Sequence, residues 1–360
     1  MKIRGVNLGN WLVLEKWMHP ELFAGVKAED ETDLSERLPL PELKERLKAH
    51  RDAYITQNDF YRIAAMGLNL VRLPVPHFVF DDCAPYVGCI EYVDRAFEYA
   101  EKAGIQILID LHTAPDSQNG FDNGGICGVC KWHTKPENIE RTLDVLERLA
   151  VRYKDRSALF GIQLLNEPAS EEVFKVSMAR YQPSDPERAK GSSFVPTETL
   201  KDFYLKGYDL LRRHLDEDKT IVFHDGFRLK EWDGFMQGAQ YRNILFDTHI
   251  YLGMGMEGEP DSLSKIAEQL EDYGRQLKQM RRNFPIVIGE WSLMNAIPGI
   301  MQLPPAQKKL VYRTIADLQQ YTWESAADGW IFWSWKLLAD VPGWSLCDCV
   351  LHDWFPNHVG

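Results

Sequence analysis

Short apolar runs alternate along the chain with longer amphipathic stretches. The runs are rich in β-branched and aromatic residues and are mostly apolar on both faces, which is typical of strands buried in a parallel sheet. They lie at 2–8, 69–75, 105–111, 159–166, 220–224, 244–250, 285–291 and 329–335. The pattern therefore predicts eight buried parallel strands.

The stretches between these runs carry helical patterns with recognisable ends. Gly67 and Gly104 follow two of them and Pro136 opens a third, as expected at helix termini. The predicted helices lie at 59–66, 93–102, 136–153, 198–215, 261–282 and 304–321. Strands alternating with helices predict an α/β fold, a (β/α)8 TIM barrel, with a doubly wound open sheet as the alternative.

Two connections are too long for simple βα turns. One covers 10–57 after the first strand, and the other covers 168–196 after the fourth and contains the turn-rich YQPSDPERAKGSS. Both follow strands, so we expect both on the C-terminal face of the barrel, where barrel enzymes build their active sites. We predict that they form walls or lids of a pocket.

Length and charge narrow the class of protein. A single barrel domain accounts for all 360 residues, 1–360, although the length would also suit two average domains. The net charge of −12 disfavours a nucleic acid or an anionic membrane as partner. The N-terminal MKIRGVNLGNW lacks the pattern of a secretory signal, and no apolar run is long enough to span a membrane. We therefore expect a cytoplasmic protein, or a secreted one if a signal was removed.

Polar or aromatic residues mark the C-terminal ends of nearly all predicted strands, where packing alone would favour Val or Leu. Two carboxylates stand out, because Glu167 follows the apolar FGIQLLN and Glu290 follows PIVIG. A buried carboxylate costs several kcal/mol unless it is neutral, paired or hydrogen-bonded. Either one alone could be a structural acid paired with Arg72 or a histidine. Two on separate strands of one barrel favour a shared chemical role.

Paired carboxylates across a cleft suit the cleavage of a glycosidic bond. One would protonate the leaving oxygen, and the other would attack the anomeric carbon or activate water. Asn166 could hold the sugar 2-hydroxyl, and Tyr251 could donate a hydrogen bond to the nucleophile. Arg72 would keep the nucleophile ionised, while burial would keep the acid protonated.

Seven segments, in order, resemble glycoside hydrolase family 5, and the resemblance spans nearly the whole chain. They are RGVNLGNWLVLEKWM at 4–18, ITQNDFYRIAAMGLNLVRLPV at 55–75, DLHTAPDSQNGFDNGG at 110–125, LLNEP at 164–168, HIY at 249–251, IGEWS at 288–292 and GWIFWSWK at 329–336. The segments are most similar to the exo-β-1,3-glucanase branch. The resemblance implies a retaining β-glycosidase that releases terminal glucose by double displacement.

Site roles follow from the resemblance position by position. It implies that Glu167 is the acid/base and Glu290 the nucleophile. The residues that it places around the cleaved sugar are Glu15, Arg72, His112, Phe121, Asp122, Asn123, Asn166, His249, Tyr251 and Trp333. Trp333 would be the platform under that sugar, and Phe121 an aromatic gate on the leaving-group side. The expected partner is a carbohydrate, a β-glucan oligosaccharide or β-glucoside, and no cofactor or metal is expected.

The aromatic content fits a protein that binds sugar. Aromatic residues make up 12% of the chain, and 11 of them are Trp. We interpret those at strand ends and in loops of the C-terminal face as a sugar-binding wall: Phe121, Trp132, Tyr251, Trp291, Trp333 and Trp335. Trp344 could extend this wall or simply pack.

Other substrates, and other classes of protein, are also compatible with parts of the sequence. The segment LGMGMEGEP after Tyr251 and the connection 168–196 do not resemble the glucanases, and both would shape the leaving-group side. A β-mannosidase or another aryl or lipid β-glycoside hydrolase is the alternative. A non-catalytic carbohydrate-binding barrel would not need both Glu residues, and a metal-dependent lyase or isomerase would need more acidic and histidine ligands at strand ends.

Two further motifs resemble a zinc site and a dinucleotide-binding site, but their spacing argues against both. The pairs Cys127–Cys130 and Cys347–Cys349 could form a zinc site, but one CxxC with one CxC is only half the usual spacing, so reduced thiols are expected. Residues 253–258 imitate G-x-G-x-x-G, yet no second strand ending in an acid follows at the distance that a dinucleotide site needs. A loop is the better account.

Overall fold

Eight parallel strands close into a barrel in the computed structural model, which describes residues 2–253 and 259–359. Each strand pairs with its neighbours in sequence, and the first also pairs with the last, so the sheet has no free edge. The strands are β1 (Ile3–Asn7), β2 (Leu70–Val75), β3 (Gln106–Leu111), β4 (Leu159–Gln163), β5 (Thr220–His224), β6 (Ile244–His249), β7 (Ile286–Glu290) and β8 (Gly329–Phe332). The predicted barrel is confirmed, and every strand lies within its predicted run.

Eleven α-helices lie in the described residues, and none of these is long and apolar enough to cross a membrane. They are α1 (Glu31–Arg37), α2 (Leu40–Tyr54), α3 (Gln57–Ala65), α4 (Ile90–Ala103), α5 (Pro136–Tyr153), α6 (Glu171–Arg180), α7 (Pro186–Ala189), α8 (Thr197–Arg212), α9 (Leu263–Met280), α10 (Pro305–Ala326) and α11 (Leu346–Leu351). The six predicted helices correspond to α3, α4, α5, α8, α9 and α10. Gly104 ends α4 in the left-handed conformation that its sequence position predicts.

The long connections are more ordered than their composition indicates. The connection after β1 contains α1 and α2, and the one after β4 contains α6 and α7. The helix α6 begins at an N-cap serine, Ser170, whose side chain accepts a hydrogen bond from the Val173 amide. The turn-rich segment 181–193 therefore follows α6 and contains the short helix α7. The polar composition of this connection conceals both helices.

The barrel interior is apolar toward the N-terminal ends of the strands and charged toward their C-terminal ends. One side chain from each strand forms an apolar plug, which comprises Ile3, Leu70, Leu108, Phe160, Val222, Leu245, Val287 and Ile331. Two residues further along β2, β3 and β6, on the same face of each strand, come Arg72, Asp110 and Asp247. The plug closes the barrel interior toward the N-terminal end, so the charged residues lie between it and the C-terminal face.

A close approach between β4 and β5 gives a test of the barrel packing. A Cβ placed on Gly161 would collide with the backbone carbonyl of Thr220, which cannot move without breaking the ladder. We expect Gly161→Ala to lower the free energy of unfolding by about 2–3 kcal/mol, as overpacking does elsewhere. Urea unfolding followed by circular dichroism measures this loss.

Gly274→Ala is the matched control. This glycine lies inside α9, and its added Cβ would make an ordinary 3.5 Å contact with Thr322 Cγ2. Helix propensity predicts a gain of up to about 1 kcal/mol there. Equal stabilities for the two variants would contradict the packing described for β4 and β5.

Candidate active site

Two buried carboxylates face each other at the C-terminal end of the barrel. Glu290 is the last residue of β7, and Glu167 lies in the loop that follows β4. Both are almost fully buried, with 3% and 5% of their surfaces exposed. Glu167 also has a φ of 43°, in the left-handed region that non-glycine residues rarely occupy. Its neighbours must therefore hold this backbone in place.

Hydrogen bonds to the backbone of the preceding residue, Asn166, hold the conformation at Glu167. The Asn166 amide donates to the Leu111 carbonyl at 2.9 Å, which continues the contact between β3 and β4. The Gln118 side chain donates to the carbonyls of His112 and Asn166, at 2.9 and 2.8 Å. One buried amide thus joins the two loops that carry the site.

Glu290 receives a hydrogen bond on each oxygen. Arg72 Nη1 donates to Oε1 at 2.8 Å, and the Tyr251 hydroxyl donates to Oε2 at 2.7 Å. Both donors favour the ionised carboxylate. The structure therefore brings together the arginine, the tyrosine and the glutamate that the sequence associates with a nucleophile.

Glu167 is held by two other donors. Asn123 Nδ2 donates to Oε2 at 2.8 Å, and His249 Nδ1 lies 2.8 Å from Oε1. The same histidine nitrogen lies 3.4 Å from Glu290 Oε2. Because one atom lies 2.8 Å from one carboxylate and 3.4 Å from the other, those two oxygens are at most 6.2 Å apart. This bound on one pair of oxygens is compatible with the carboxyl separation of about 5–5.5 Å found in retaining glycosidases.

Arg72 is the buried cation beneath this pair. Its guanidinium has no exposed surface and donates to the side chains of Asn7, Gln163, Asn166 and Glu290, at 2.7–2.9 Å. Asp110 Oδ2 lies 3.1 Å from Nη2. The planar fork of an arginine can satisfy this many acceptors at once, which a lysine cannot.

The protonation pattern differs from the one expected at the sequence level. Burial lowers the pKa of a histidine, but Glu290, Asp247 and Glu167 surround His249 and raise its pKa well above the ordinary value. Burial opposes ionisation of Glu167, yet its bond to His249 and the histidine's charge lower its pKa to about 2. Burial raises the pKa of Glu290, against the pull of His249 and Arg72. Burial alone therefore does not keep Glu167 protonated, because its hydrogen bond to His249 and the charge of His249 favour the ionised carboxylate.

A cavity of about 620 Å³ opens above the two carboxylates. Besides Glu167 and Glu290, the sequence-predicted residues that line it are Glu15, Phe121, Asp122, Asn123, His249, Tyr251 and Trp333. Arg72, His112 and Asn166 are fully buried and are not among the lining residues. They lie under the carboxylates and position them, so their predicted contact with a sugar stays a prediction.

One side of the cavity combines buried acids with tryptophans. Glu15 accepts a 2.9 Å hydrogen bond from Trp17 Nε1, and burial raises the pKa of both Glu15 and Asp122. Trp344 packs against Trp17 and lines the cavity, so it does both of the things that the sequence left open. The ring of Trp333 is nearly parallel to that of His112, with centroids 5.6 Å apart.

Three of the aromatics expected in a sugar-binding wall belong to the core instead. Trp132, Trp291 and Trp335 are almost completely buried. Trp291 packs against Trp330 and Trp323 on the outer side of the barrel. Residues at strand ends alternate between the inside and the outside of the barrel, and Trp291 and Trp335 point outward. Trp132 lies in a short helix of the connection after β3 and packs against Phe203 of α8. The wall prediction is wrong for these three.

Several lining residues were not identified from the sequence. They are Trp17, Val173, Val176, Ser177, Arg180, Tyr181, Phe227, Ile250, Gly253, Tyr273, Met294, Val341 and Trp344, of which only Trp344 had been considered. Most lie in loops or on α6, where no strand-end rule applies. The 3- and 4-residue spacing of Val173, Val176 and Ser177 was the available signal.

Among the described residues, one group places three ligand atoms close enough for a metal ion. It comprises Glu167, His224 and His249, with ligand atoms within 4.8 Å of one another. His224 Nδ1 accepts the Gly226 amide at 2.9 Å, and burial holds the pKa of this imidazole well below its ordinary value. Its proton is therefore on Nε2, which has no lone pair to offer. The group fits a hydrogen-bonded array better than a metal site.

The cysteines do not assemble into a zinc site. All six are free thiols, and none belongs to a group of potential metal ligands in the part of the chain that the structure describes. Burial raises the pKa of Cys130 to about 12, so this thiol is protonated at neutral pH. Residues 254–258 of the G-x-G-x-x-G segment lie outside the described residues.

Comparison with known proteins identifies the family. The family model described as Cellulase (glycosyl hydrolase family 5) matches residues 39–337. The chain belongs to glycosyl hydrolase family 5.

Curated relatives and solved structures extend this result. A probable glucan 1,3-beta-glucosidase A of Aspergillus terreus is 33% identical, with coverage of 98% of this chain and 88% of the relative. A glucan 1,3-beta-glucosidase of Blumeria graminis is 31% identical, over 95% of this chain and 84% of the relative. The crystal structure of rutinosidase from Aspergillus niger has a TM-score of 0.80 at 19% identity, covering 98% of this chain and 97% of that one, and shows the shared fold. This family 5 protein is an enzyme that hydrolyses O-glycosyl bonds.

Removal of the buried cation gives a test of the site's electrostatics. Arg72→Met would leave Glu290 and Asp110 without their shared counter-charge, so we expect a loss of about 3–5 kcal/mol in the free energy of unfolding. The charge of Arg72 lowers the pKa of Glu290, so its removal raises that pKa. The variant should therefore recover stability as the pH falls. Denaturant unfolding at pH 5 and pH 8 measures both effects.

Arg281→Met provides the control. Arg281 forms a half-exposed ion pair with Asp328 on the surface, which is worth at most about 1 kcal/mol. If Arg72→Met lost no more stability than Arg281→Met, the buried cation would not hold the site together.

Proposed function

We propose that this enzyme releases terminal glucose from β-glucosides with retention of configuration at the anomeric carbon. The observation that supports the proposal most directly is the 6.2 Å upper bound on the separation of the two carboxylate oxygens bridged by His249. Retaining enzymes hold their carboxyl groups at about 5–5.5 Å, which leaves no room for a water on the far side of the sugar. The relatives named glucan 1,3-beta-glucosidase support a glucoside as substrate.

In the first step, Glu290 attacks the anomeric carbon while Glu167 gives a proton to the glycosidic oxygen. The C–O bond breaks, the aglycone leaves as an alcohol, and a glycosyl ester forms on Glu290. In the second step, Glu167 takes a proton from water, whose oxygen displaces Glu290 from the sugar. Arg72 and Tyr251 hold Glu290 in line and stabilise its charge as it leaves.

His249 supplies the proton that the first step needs. The surrounding carboxylates raise the pKa of this imidazole, whose Nδ1 lies 2.8 Å from Glu167 Oε1, so the imidazole can hold a proton for Glu167. A sugar above the carboxylates excludes water, and a neutral pair costs less to bury than an ion pair without solvent. The proton then moves across one hydrogen bond and leaves Glu167 as the acid, so His249 acts through Glu167.

The remaining lining residues fit a single terminal sugar. Trp333 provides an apolar face on which the sugar ring can lie. Asn166, which is buried and precedes Glu167 in the chain, would hold the 2-hydroxyl from beneath the cavity. Glu15 and Asp122 would accept bonds from the outer hydroxyls, with Asn123 beside them. Trp17 and Trp344 close the cavity beyond these acids, which favours cleavage from the chain end. His112 supports Trp333, and Phe121 is the gate on the leaving-group side.

This proposal takes residues 1–360 as one catalytic barrel. A cytoplasmic location, or secretion if a signal was removed, stays a prediction from the sequence.

Chemical rescue tests the two roles separately. We expect Glu290→Ala to lower kcat for an aryl β-glucoside by at least about 10³-fold. Azide should restore turnover and yield the α-glucosyl azide, because it attacks the face that Glu290 vacates. Glu167→Ala with azide should yield the β-glucosyl azide, since that variant still forms the ester on Glu290. NMR of the products distinguishes the two anomers.

Glu217→Ala, at an exposed surface position, is the control for expression and handling. Full activity of Glu290→Ala, or the same azide anomer from both variants, would refute the assignment of roles.

The charge around His249 predicts a pH effect. Asp247 Oδ2 lies 3.2 Å from His249 Nε2 and helps to raise the pKa of the histidine. Asp247→Asn removes one negative charge, so His249 should lose its proton at a lower pH. The alkaline limb of kcat/KM against pH should move to lower pH, while Asp353→Asn on the surface leaves it in place. An unmoved limb in Asp247→Asn would show that the proton does not come from the His249–Glu167 pair.

A further inference from the structure

One face of α6 forms a wall of the cavity. Val173, Val176, Ser177 and Arg180 all line it, and their spacing of three, one and three residues places them on the same side of a helix. Val176 is 39% exposed, although the other large hydrophobics of this site are more buried. Val176 continues the apolar lining formed by Val173 and Tyr181, and a contiguous apolar surface in a cavity is typical of a ligand-binding site.

This wall lies on the side of the acid/base. The helix begins four residues after Glu167, and its buried Ser177 hydroxyl donates to the Asn119 carbonyl at 3.2 Å. A Cβ on Gly120 would lie 2.6 Å from Met178 Cε, so the helix and this loop are in close contact. The same loop carries Asn123, which binds Glu167. A group that leaves toward the acid therefore passes along α6.

Aromatic rings continue the apolar surface around the leaving-group side. Phe121 and Tyr181 pack with ring centroids 5.5 Å apart and an interplanar angle of 53°. Phe227 also lines the cavity, and its ring contacts His224, the neighbour of His249. Ser177 and Arg180 are the polar residues of this helix face, and the Ser177 hydroxyl lies within hydrogen-bond distance of the Asn119 and Phe174 carbonyls.

The cavity thus has two chemically different halves. The half around Glu15, Asp122 and the two catalytic carboxylates offers charged acceptors for sugar hydroxyls. The half made by Val173, Val176, Phe121, Tyr181 and Phe227 offers mainly carbon surface. The charged residue on this side is Arg180, whose guanidinium lies over the Tyr181 ring, 5.4 Å from its centroid. A second sugar there would lose water from its hydroxyls, which is costly without new partners. An apolar group would gain by burial.

We propose that the leaving-group subsite binds an apolar aglycone, so that the preferred substrates are alkyl or aryl β-glucosides and not glucan chains. This inference rests on the proposed β-glucosidase function and specifies the aglycone.

A series of n-alkyl β-glucosides from methyl to octyl tests the subsite. The alcohols that leave are similar in acidity, so differences in kcat/KM report contacts with the chain and not leaving-group ability. We expect kcat/KM to rise at least tenfold from the methyl to the octyl glucoside below the micellar concentration. Laminaribiose, whose leaving group is a second glucose, should be cleaved with a lower kcat/KM than octyl glucoside.

Paired valine variants locate the effect. Val176→Asn should reduce the octyl-to-methyl ratio of kcat/KM at least fivefold. Val151→Asn, at a valine of α5 that is 50% exposed and does not line the cavity, should keep the wild-type ratio. Both sites are exposed, so neither change should prevent folding. Octyl and methyl 1-thio-β-glucosides carry a weakly basic sulfur that is hard to protonate, so their inhibition constants should give the same comparison without turnover.

The outcomes separate this inference from the function on which it rests. If no β-glucoside is cleaved by the wild type, including an aryl glucoside, the proposed function fails. If glucosides are cleaved but the alkyl series is flat, or laminaribiose exceeds the octyl glucoside, the apolar subsite is refuted. A rising series that Val176→Asn leaves unchanged would refute the role of α6.

Discussion

A single buried guanidinium, that of Arg72, makes the rest of the active site possible. Four carboxylates surround the Arg72 and His249 side chains within the upper barrel, and all are nearly inaccessible to water: Asp110, Glu167, Asp247 and Glu290. Without compensation, such a concentration of acid would drive protonation or unfolding. The two cationic groups lower that cost, and the barrel fixes the position of Arg72 because its ion pairs reach three other strands, β3, β6 and β7.

The fold supplies the direction of the chemistry. The apolar plug denies water access from below, so solvent and substrate reach the carboxylates only through the cavity above. Side chains two residues apart on a strand point to the same face. On the inner face, the apolar Leu70 is followed by Arg72, and Leu245 is followed by Asp247. Structural and reactive layers are therefore adjacent, and a substitution in the plug would affect the charged layer directly.

Periodicity and strand-end chemistry were sufficient to predict the eight strands, six helices and the positions of Glu167 and Glu290. They were not sufficient for α6, because a short helix among prolines, serines and charges has little apolar signal of its own. They also could not separate Trp333, which faces the cavity, from Trp335, which enters the core two positions later. The pKa values of Glu167 and His249 depend on their contact, which joins residues that are far apart in sequence. No local pattern encodes such a contact.

The contact between α6 and the loop at Asn119 and Gly120 has a consequence for how this enzyme can diversify. The helix that lines the cavity and the loop that carries Asn123, the hydrogen-bond partner of Glu167, are joined by Ser177 and Met178. An insertion or deletion in α6 would therefore disturb the position of Glu167 along with the wall of the cavity. Exchange of single side chains on its exposed face would not, since the backbone joint stays intact. Natural variation in aglycone preference should accordingly accumulate by point substitution at positions such as 173 and 176, under a fixed helix length.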